Sequence, residues 1–447
     1  MTLRVLAGGR AHSSTRPGLL ITGAAEITTF AGGVRRGAAQ DEAAALTGGR
    51  PEVAVFDGRI VAVGTHDDVQ RRLAAEGLTD ERRFTTLDAR GGTVTPGLID
   101  PHTHLLFAGT REAELRLRQR GAGYLEVLTA GGGILATVAR TREASEEELA
   151  DHGRHWVDQM LAHGVTTIEA KSGYGLDRPT ELRLLELAAR LGAEGPVEVV
   201  PTFLGAHAVP AEFRDRPEPT EAYLRSVLRD QLPAVAAQGR ARFCDVFCEA
   251  GVFTADQSRR LLVEARRLGM EPRLHADELE PSGGAELAAE LGAASADHLG
   301  APSREGVAAL AQAAAGDAPV VATVLPATSL FLMTDHGAPA RTFIERGIPV
   351  ALGTDFNPGT SPTPNLPLVL SLAVLRLGLT PTEALAAVTI NAAQALHLAE
   401  THGSLEVGKQ ADLVVWDVSG HELIPYWLGA DLVRAVVKHG QVVLARS

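Results

Sequence analysis

Two histidines one residue apart, His102 and His104, follow a short apolar run, Leu98-Ile99, that ends in Asp100-Pro101. Residues two apart in a strand share a face, so a His-x-His pair aims both imidazoles at one point. Neutral imidazoles are good ligands for zinc or iron, although such a pair is also met as ordinary surface or core histidines. Further on, other short apolar runs end in residues of the same chemical kind: Lys171, His207, Glu249, His275, His298 and Asp355. His102, His104 and His275 would supply three nitrogens and Asp355 a carboxylate oxygen, the donor set of a catalytic metal site that keeps a position open for water. A metal held in this way lowers the pKa of bound water to about 7, making a hydroxide nucleophile at neutral pH. Lys171 admits two readings, a carboxylated lysine bridging two metals or a buried ion pair with Glu169 or another carboxylate. Glu249 can equally be structural.

These residues can meet only if the runs that carry them belong to one scaffold. Apolar, β-rich runs occur near 98–100, 165–170, 197–204, 243–247, 273–276, 295–298, 320–325 and 350–353, and amphipathic stretches such as 180–192, 254–269 and 337–347 lie between them. Thr180 and Thr254 are the expected N-caps, and Gly192, Gly269 and Gly347 the expected stops. Eight strands alternating with helices predict an α/β fold of the (β/α)8 TIM-barrel type, whose chemistry gathers at the C-terminal ends of the strands. A doubly wound open sheet is the alternative, but no G-x-G-x-x-G follows an early strand to support a nucleotide site. Residues 53–64 read as a hairpin turning at Asp57-Gly58, and strand-like runs return at 411–416 and 432–444 with a second tight turn at His439-Gly440. The expected organisation is a flexible tail over 1–18, a small β-sandwich built from 19–94 and 408–447, and a catalytic barrel over 95–407 inserted between its halves.

Composition narrows the partners. Across 447 residues, 42 basic side chains face 55 acidic ones, a formal charge of −13, which argues against nucleic acid and anionic lipid because both reward basic surface. No uninterrupted apolar run reaches the roughly 18 residues of a membrane span. The two cysteines, Cys244 and Cys248, sit four residues apart in a strand-like run, about 13 Å by strand rise, beyond the roughly 7 Å a disulfide tolerates. Buried thiols in a reducing compartment, the cytoplasm, are the expectation.

The stretches DPHTHLLFAGTRE, GAGYLEVLTAGGGI, EAKSGYGL, FLGAHAVP, LHADEL and GTDFNPGTSP, opened by PGLIDPHTH and closed by GSLEVGKQADLVVWD, carry a more specific message. On these motifs the chain, from about Leu19 onward, resembles the amidohydrolase superfamily, and within it the branch that opens an imidazolone ring in histidine degradation. The resemblance implies a barrel flanked by a β-sandwich and a hydrolase acting on a cyclic amide. Metal-bound hydroxide would attack the ring carbonyl of 4-imidazolone-5-propanoate, and the C–N bond would break to give N-formimidoyl-L-glutamate. It implies one zinc or iron ion on His102, His104, His275 and Asp355. It assigns substrate contacts to Arg111, Tyr174, His207, Glu278, Asn357, Gly359 and Thr360, and catalysis to Glu278, His298 and Asp355. It also implies a homodimer.

The residue chemistry runs in the same direction. A propionate is an anion, so a guanidinium able to form a bidentate pair is the natural anchor; an ion pair of Arg111 with Glu112 or Glu114 is the competing reading. Tyr174 lies between Gly173 and Gly175, where backbone freedom can bring a phenol against a ligand or simply pack a turn. Asn357-Pro358-Gly359-Thr360 offers donors but is also a turn sequence. Two rival functions share the motifs: another ring-directed reaction of the same superfamily, such as deamination or hydantoin opening, and a metal-binding scaffold without turnover. A structural metal site would normally be closed.

Overall fold

In the computed structural model, which describes residues 4–5, 18–121, 133–334 and 337–446, the apolar runs in the middle of the chain form one eight-stranded sheet in sequential order. Its strands are β1 (Leu98–Asp100), β2 (Val165–Lys171), β3 (Glu198–Ala206), β4 (Phe243–Cys248), β5 (Glu271–Ala276), β6 (Ser295–His298), β7 (Val321–Val324) and β8 (Val350–Leu352). All neighbours pair in parallel, with helical crossovers between them, as parallel pairing requires. The ends of the sheet meet through a parallel bridge between Thr103 and Phe356. Asp355 N donates to His102 O at 3.0 Å and His104 N to Phe356 O at 2.9 Å. The barrel is thus closed by the backbone of the same residues that carry the reactive side chains, and the doubly wound alternative is excluded.

The barrel interior is layered. At its floor Ile99, Val200, Phe243, Ala294, Val321 and Ala351 pack against Ala392, Ala393, Ala395 and Leu396, all buried, so the helix Ile390–Ala395 plugs the N-terminal end. Above the floor lies a charged layer of Glu169, Lys171, Asp245, Arg273 and Asp297, every side chain fully buried. The histidines stand above that. In a strand each step of two residues rises one layer on the same face, which is why Glu169 and Lys171, or Arg273 and His275, stack along single strands.

Helix boundaries follow local chemistry. Thr254 caps the helix Ala255–Arg267 through a capping box with Gln257, as expected. The helix after β2 departs from expectation, spanning Arg178–Glu194. Asp177, not Thr180, is its N-cap, accepting from Thr180 N at 2.8 Å, because Pro179 is well suited to the first turn. Gly192 does not end it: a Cβ there would lie 3.1 Å from Val199 Cβ, so this glycine serves close helix–strand packing, and the helix ends at Gly195.

Two further sheets draw on both flanks of the barrel. One contains Glu26–Thr28 and Thr93–Pro96 beside Leu413–Trp416, Val433–Lys438 and Gln441–Ala445; the other holds Gly18–Thr22, Pro51–Phe56, Arg59–Thr65 and Phe84–Asp88. Leu19, Ile21, Val53 and Val55 of the second sheet share a core with Val94, Leu413, Val415 and Val437 of the first. The hairpin turns at Asp57 (φ 49°) and Gly58 (φ 75°), the paired left-handed residues of a tight two-residue turn. Of the tail expected over 1–18, Arg4–Val5 pairs with Leu444 and Ala445; apart from Gly18, the rest lies outside the described residues, as does 122–132 within GAGYLEVLTAGGGI. No helix among the described residues is long and apolar enough to cross a membrane.

Candidate active site

The top of the barrel brings His102, His104, His275 and Asp355 together. His102 Nε2 and His104 Nε2 each lie 3.5 Å from Asp355 Oδ1, and His275 Nε2 lies 3.4 Å from His104 Nε2. His298 is also near, with a ligand atom within 4.8 Å of those of His102 and Asp355. Burial drives the His102, His104 and His298 imidazoles well below their ordinary range, so the rings are neutral and present lone pairs. His102 Nδ1 donates to Asp297 Oδ2 at 2.7 Å, and Asp245 Oδ2 lies 3.1 Å from His275 Nδ1. A proton held at Nδ1 turns the lone pair of Nε2 toward the centre, the arrangement that orients histidine ligands. His102 Nε2 is buried with no hydrogen-bond partner among the described residues. Neutral nitrogens facing one another and a carboxylate oxygen across 3.5 Å fit a bound divalent cation.

Beneath these ligands every member of the charged layer has an ion-pair partner, although Arg273 Nε and Asp297 Oδ1 are buried without a hydrogen bond among the described residues. Lys171 Nζ donates to Asp245 Oδ2 at 2.6 Å and to Glu169 Oε1 at 2.8 Å, and lies 3.5 Å from Asp297 Oδ2. Arg273 Nη2 donates to Asp297 Oδ2 at 3.0 Å and to Pro101 O at 2.7 Å. Burial works against the Lys171 charge, but Asp245 and Glu169 outweigh it and hold its pKa above the ordinary value. Lys171 thus sits in the buried ion-pair network that is one of its two readings. Asp245, Asp297 and Arg273 were not singled out in the sequence. The available signal was a charged residue inside an otherwise apolar strand, as in FCDVFC and SADH.

Of the remaining residues, Arg111, Tyr174, His207, Glu278, Asn357 and Thr360 line one pocket over this centre, with Ile134 and Phe247, whereas Gly359 is not part of that lining. His207 stacks on His104 at 4.9 Å between ring centroids. Its Nδ1 donates to Gly173 O at 3.0 Å, and burial lowers its pKa to about 3. Tyr174 is buried, its ring 5.6 Å from that of His104 and 6.3 Å from that of Phe107. Asn357 spends its amide on its own turn: Nδ2 donates to Asp355 O and Thr360 Oγ1, and Oδ1 accepts from Gly359 N and Thr360 N. Thr328, unremarked in the sequence, donates to Asp355 Oδ2 at 2.6 Å. His298 (φ 72°) and Asp355 (φ 52°) have left-handed backbones, a strain that clusters at functional sites.

Arg111 and Glu114 form a bidentate pair, Nε to Oε1 at 2.9 Å and Nη2 to Oε2 at 2.8 Å. The guanidinium is thereby fixed with a flat face against Gly359, where a Cβ would fall 2.0 Å from Nη1, 2.2 Å from Cζ and 2.8 Å from Nη2. The backbone of Gly359 is not left-handed, so Gly359→Ala is expected to fold normally while displacing the guanidinium. Losing a charge-assisted contact to an anionic substrate, about 1.5–3 kcal/mol, corresponds to a KM raised about ten- to hundredfold. Steady-state kinetics would show this as KM rising far more than kcat falls.

Two carboxyl groups face the centre with different protonation. Glu278 is pushed up to about 8, by burial first and then by the charges of Asp355 and Glu249. Asp355 is raised to about 6 by burial, against the opposing hydrogen bond from Thr328. For Glu278 the folded value lies above the unfolded one, so its contribution to stability is full below about 4.5 and is lost as pH rises through about 8. Glu278→Gln removes that dependence. In chelator-treated protein, the urea midpoint of the variant should gain on that of the parent between pH 5 and pH 8.

The amidohydrolase family matches residues 93–443. The chain is 52% identical over 390 residues to an imidazolonepropionase of Geobacillus kaustophilus, covering 87% of this chain and 89% of that one. It is 50% identical over 427 residues to an imidazolonepropionase of Symbiobacterium thermophilum, covering 95% and 97%. Among solved structures, a zinc-bound adenosine deaminase from Xanthomonas campestris aligns with a TM-score of 0.67 at 19% identity over 95% of this chain and 92% of that one. Escherichia coli guanine deaminase aligns at 0.68 and 16%, over 96% and 100%. At those identities the two structures share the fold.

Proposed function

The chain belongs to the amidohydrolase family of metal-dependent hydrolases, and from that premise we propose that it catalyses the imidazolonepropionase reaction, hydrolysis of 4-imidazolone-5-propanoate to N-formimidoyl-L-glutamate. The observation that carries this reading is the pocket itself, which Arg111, Tyr174 and His207 line together with His104, His275 and Asp355.

In this reading His102, His104, His275 and Asp355 hold one zinc or iron ion. Such an ion supplies Lewis-acid polarisation and a water that is acidic at neutral pH. Arg111 anchors the propionate, with Tyr174 and His207 against the ring, and the turn held by Asn357 brings Gly359 and Thr360 to the substrate. His298 stands beside the ring carbonyl and stabilises the oxygen as it gains charge. A raised and a less raised carboxyl divide the proton work. Asp355, ionised at neutral pH, takes the proton of the attacking water, and Glu278, which carries its proton, delivers it to the departing ring nitrogen. One C–O bond forms at the carbonyl carbon and the ring C–N bond breaks.

The reading extends to a cytoplasmic enzyme, consistent with two buried, unbridged cysteines, and to a homodimer, for which Leu375, Tyr426, Trp427 and Leu428 offer an exposed apolar surface. The test is direct. Purified protein should remove the imidazolone ultraviolet absorbance, lose that activity with a chelator and regain it with zinc or iron, and contain about one metal per chain. Deamination of purines in its place, with no effect on the imidazolone, would refute the assignment.

A further inference from the structure

Glu249 follows β4 and is 2% exposed; among the described residues it belongs neither to the candidate metal groups nor to the pocket lining. Its backbone is locked in a tight turn, with Glu249 N donating to Phe253 O at 3.1 Å and Val252 N to Glu249 O at 3.0 Å. Its carboxylate reaches across to the loop that follows β5. Oε2 accepts from Leu279 N at 3.1 Å, and Oε1 accepts from Glu280 N at 3.2 Å and from Ser282 Oγ at 2.7 Å. Leu279 and Glu280 are the two residues immediately after Glu278.

The other side of Glu278 is held as firmly. Asp277, with a left-handed φ of 50°, accepts from Ser282 N at 2.7 Å, Gly284 N at 3.0 Å and Ala285 N at 2.9 Å. Its carbonyl accepts from Ala301 N at 2.8 Å. Gly300 packs so tightly on the Glu278 carbonyl that a Cβ would fall 2.4 Å from it. The Glu278 side chain, by contrast, has only loose neighbours among the described residues, the nearest titratable partner being the neutral His298, with Nδ1 at 3.7 Å. With no hydrogen bond holding this carboxyl among the described residues, its aim is set through its backbone.

We propose that Glu249 is a positioning residue for Glu278, its carboxylate fixing the backbone beyond Glu278 so that the Glu278 carboxyl meets the departing nitrogen in one orientation. The inference rests on the proton-delivery role assigned to Glu278 above. A displacement of about 1 Å at a reacting group can cost about a hundredfold in rate. Glu249→Gln keeps the shape but turns one acceptor into a donor facing N–H groups, so kcat should fall about ten- to hundredfold while KM and metal content stay near those of the parent.

The decisive measurement is a double-mutant cycle. Effects that run through one residue do not add. In a Glu278→Gln background, Glu249→Gln should therefore change kcat by less than about twofold. Ser282→Ala, which removes one bond to Glu249 and keeps its charge, should lower kcat by a smaller factor that also vanishes in that background; it decides the question if Glu249→Gln does not fold. If Glu278→Gln is crippled and the Glu249 and Ser282 substitutions still reduce kcat by their full factors, Glu249 acts by another route and the proposal is overturned. If Glu278→Gln turns over like the parent, the proton role of Glu278 fails and takes this inference with it.

Discussion

Asp355→Asn is expected to lower kcat about ten-thousandfold, the upper end of the range for losing a positioned proton carrier, because the same carboxylate is also the proposed anionic ligand of the metal. The substitution isolates chemistry from folding. Asparagine tolerates the left-handed φ of 52° at this position. An amide oxygen can still accept from Thr328 Oγ1, now 2.6 Å from Asp355 Oδ2. The backbone seam from Asp355 N to His102 O does not involve the side chain. Turnover should be measured on protein whose metal content has been brought back to one per chain. Activity within tenfold of the parent under that condition would remove Asp355 from both assignments.

Lys171→Met is expected to cost about 3–5 kcal/mol in stability, the range for removing one partner of a buried ion pair, read as a shift of the denaturant midpoint. Lys171 sits between Asp245, Glu169 and Asp297 with no exposed side-chain surface. Methionine fills the volume but leaves three carboxylates countered by Arg273 alone. Two of them face the Nδ1 atoms of His102 and His275, so metal content should fall with stability. A variant that unfolds at the parent midpoint with a full complement of metal would show that the charged layer contributes neither.

Much of this was legible in the chain because parity and period are simple. His-x-His at the end of an apolar run put two rings on one face, and strands of regular spacing put His275 and Asp355 at the same end. The motifs then supplied roles that spacing alone left open. What escaped was chemistry set by tertiary partners. Glu114 lies three residues from Arg111 on the same short helical turn, yet whether it competes with the substrate or steadies the guanidinium depends on Gly359, more than two hundred residues away. The amide of Asn357 looked like a ligand contact and is consumed in its own turn. Asp245 and Asp297 were passed over because an acid in an apolar strand has meaning only once its buried cations are known. Gly192 looked like a helix stop because its packing on Val199 is invisible in sequence.

The sheet that leads into the first barrel strand has its own consequence for the order of events at the ribosome. Thr93–Pro96 runs almost directly into Leu98, and its partner Leu413–Trp416 is made more than three hundred residues later. At about 5–20 residues per second, that gap lasts roughly 15–60 s. Throughout it the side of Thr93–Pro96 opposite Glu26–Thr28 stays open, the kind of strand edge that recruits other chains. Trp416 then arrives with the pairing strand and donates from Nε1 to Thr95 Oγ1 at 2.8 Å. The segment leading to the histidine pair is therefore secured only after the whole barrel has been made, and a nascent chain that stalls before Leu413 would carry every proposed ligand while lacking the strand that anchors the first two.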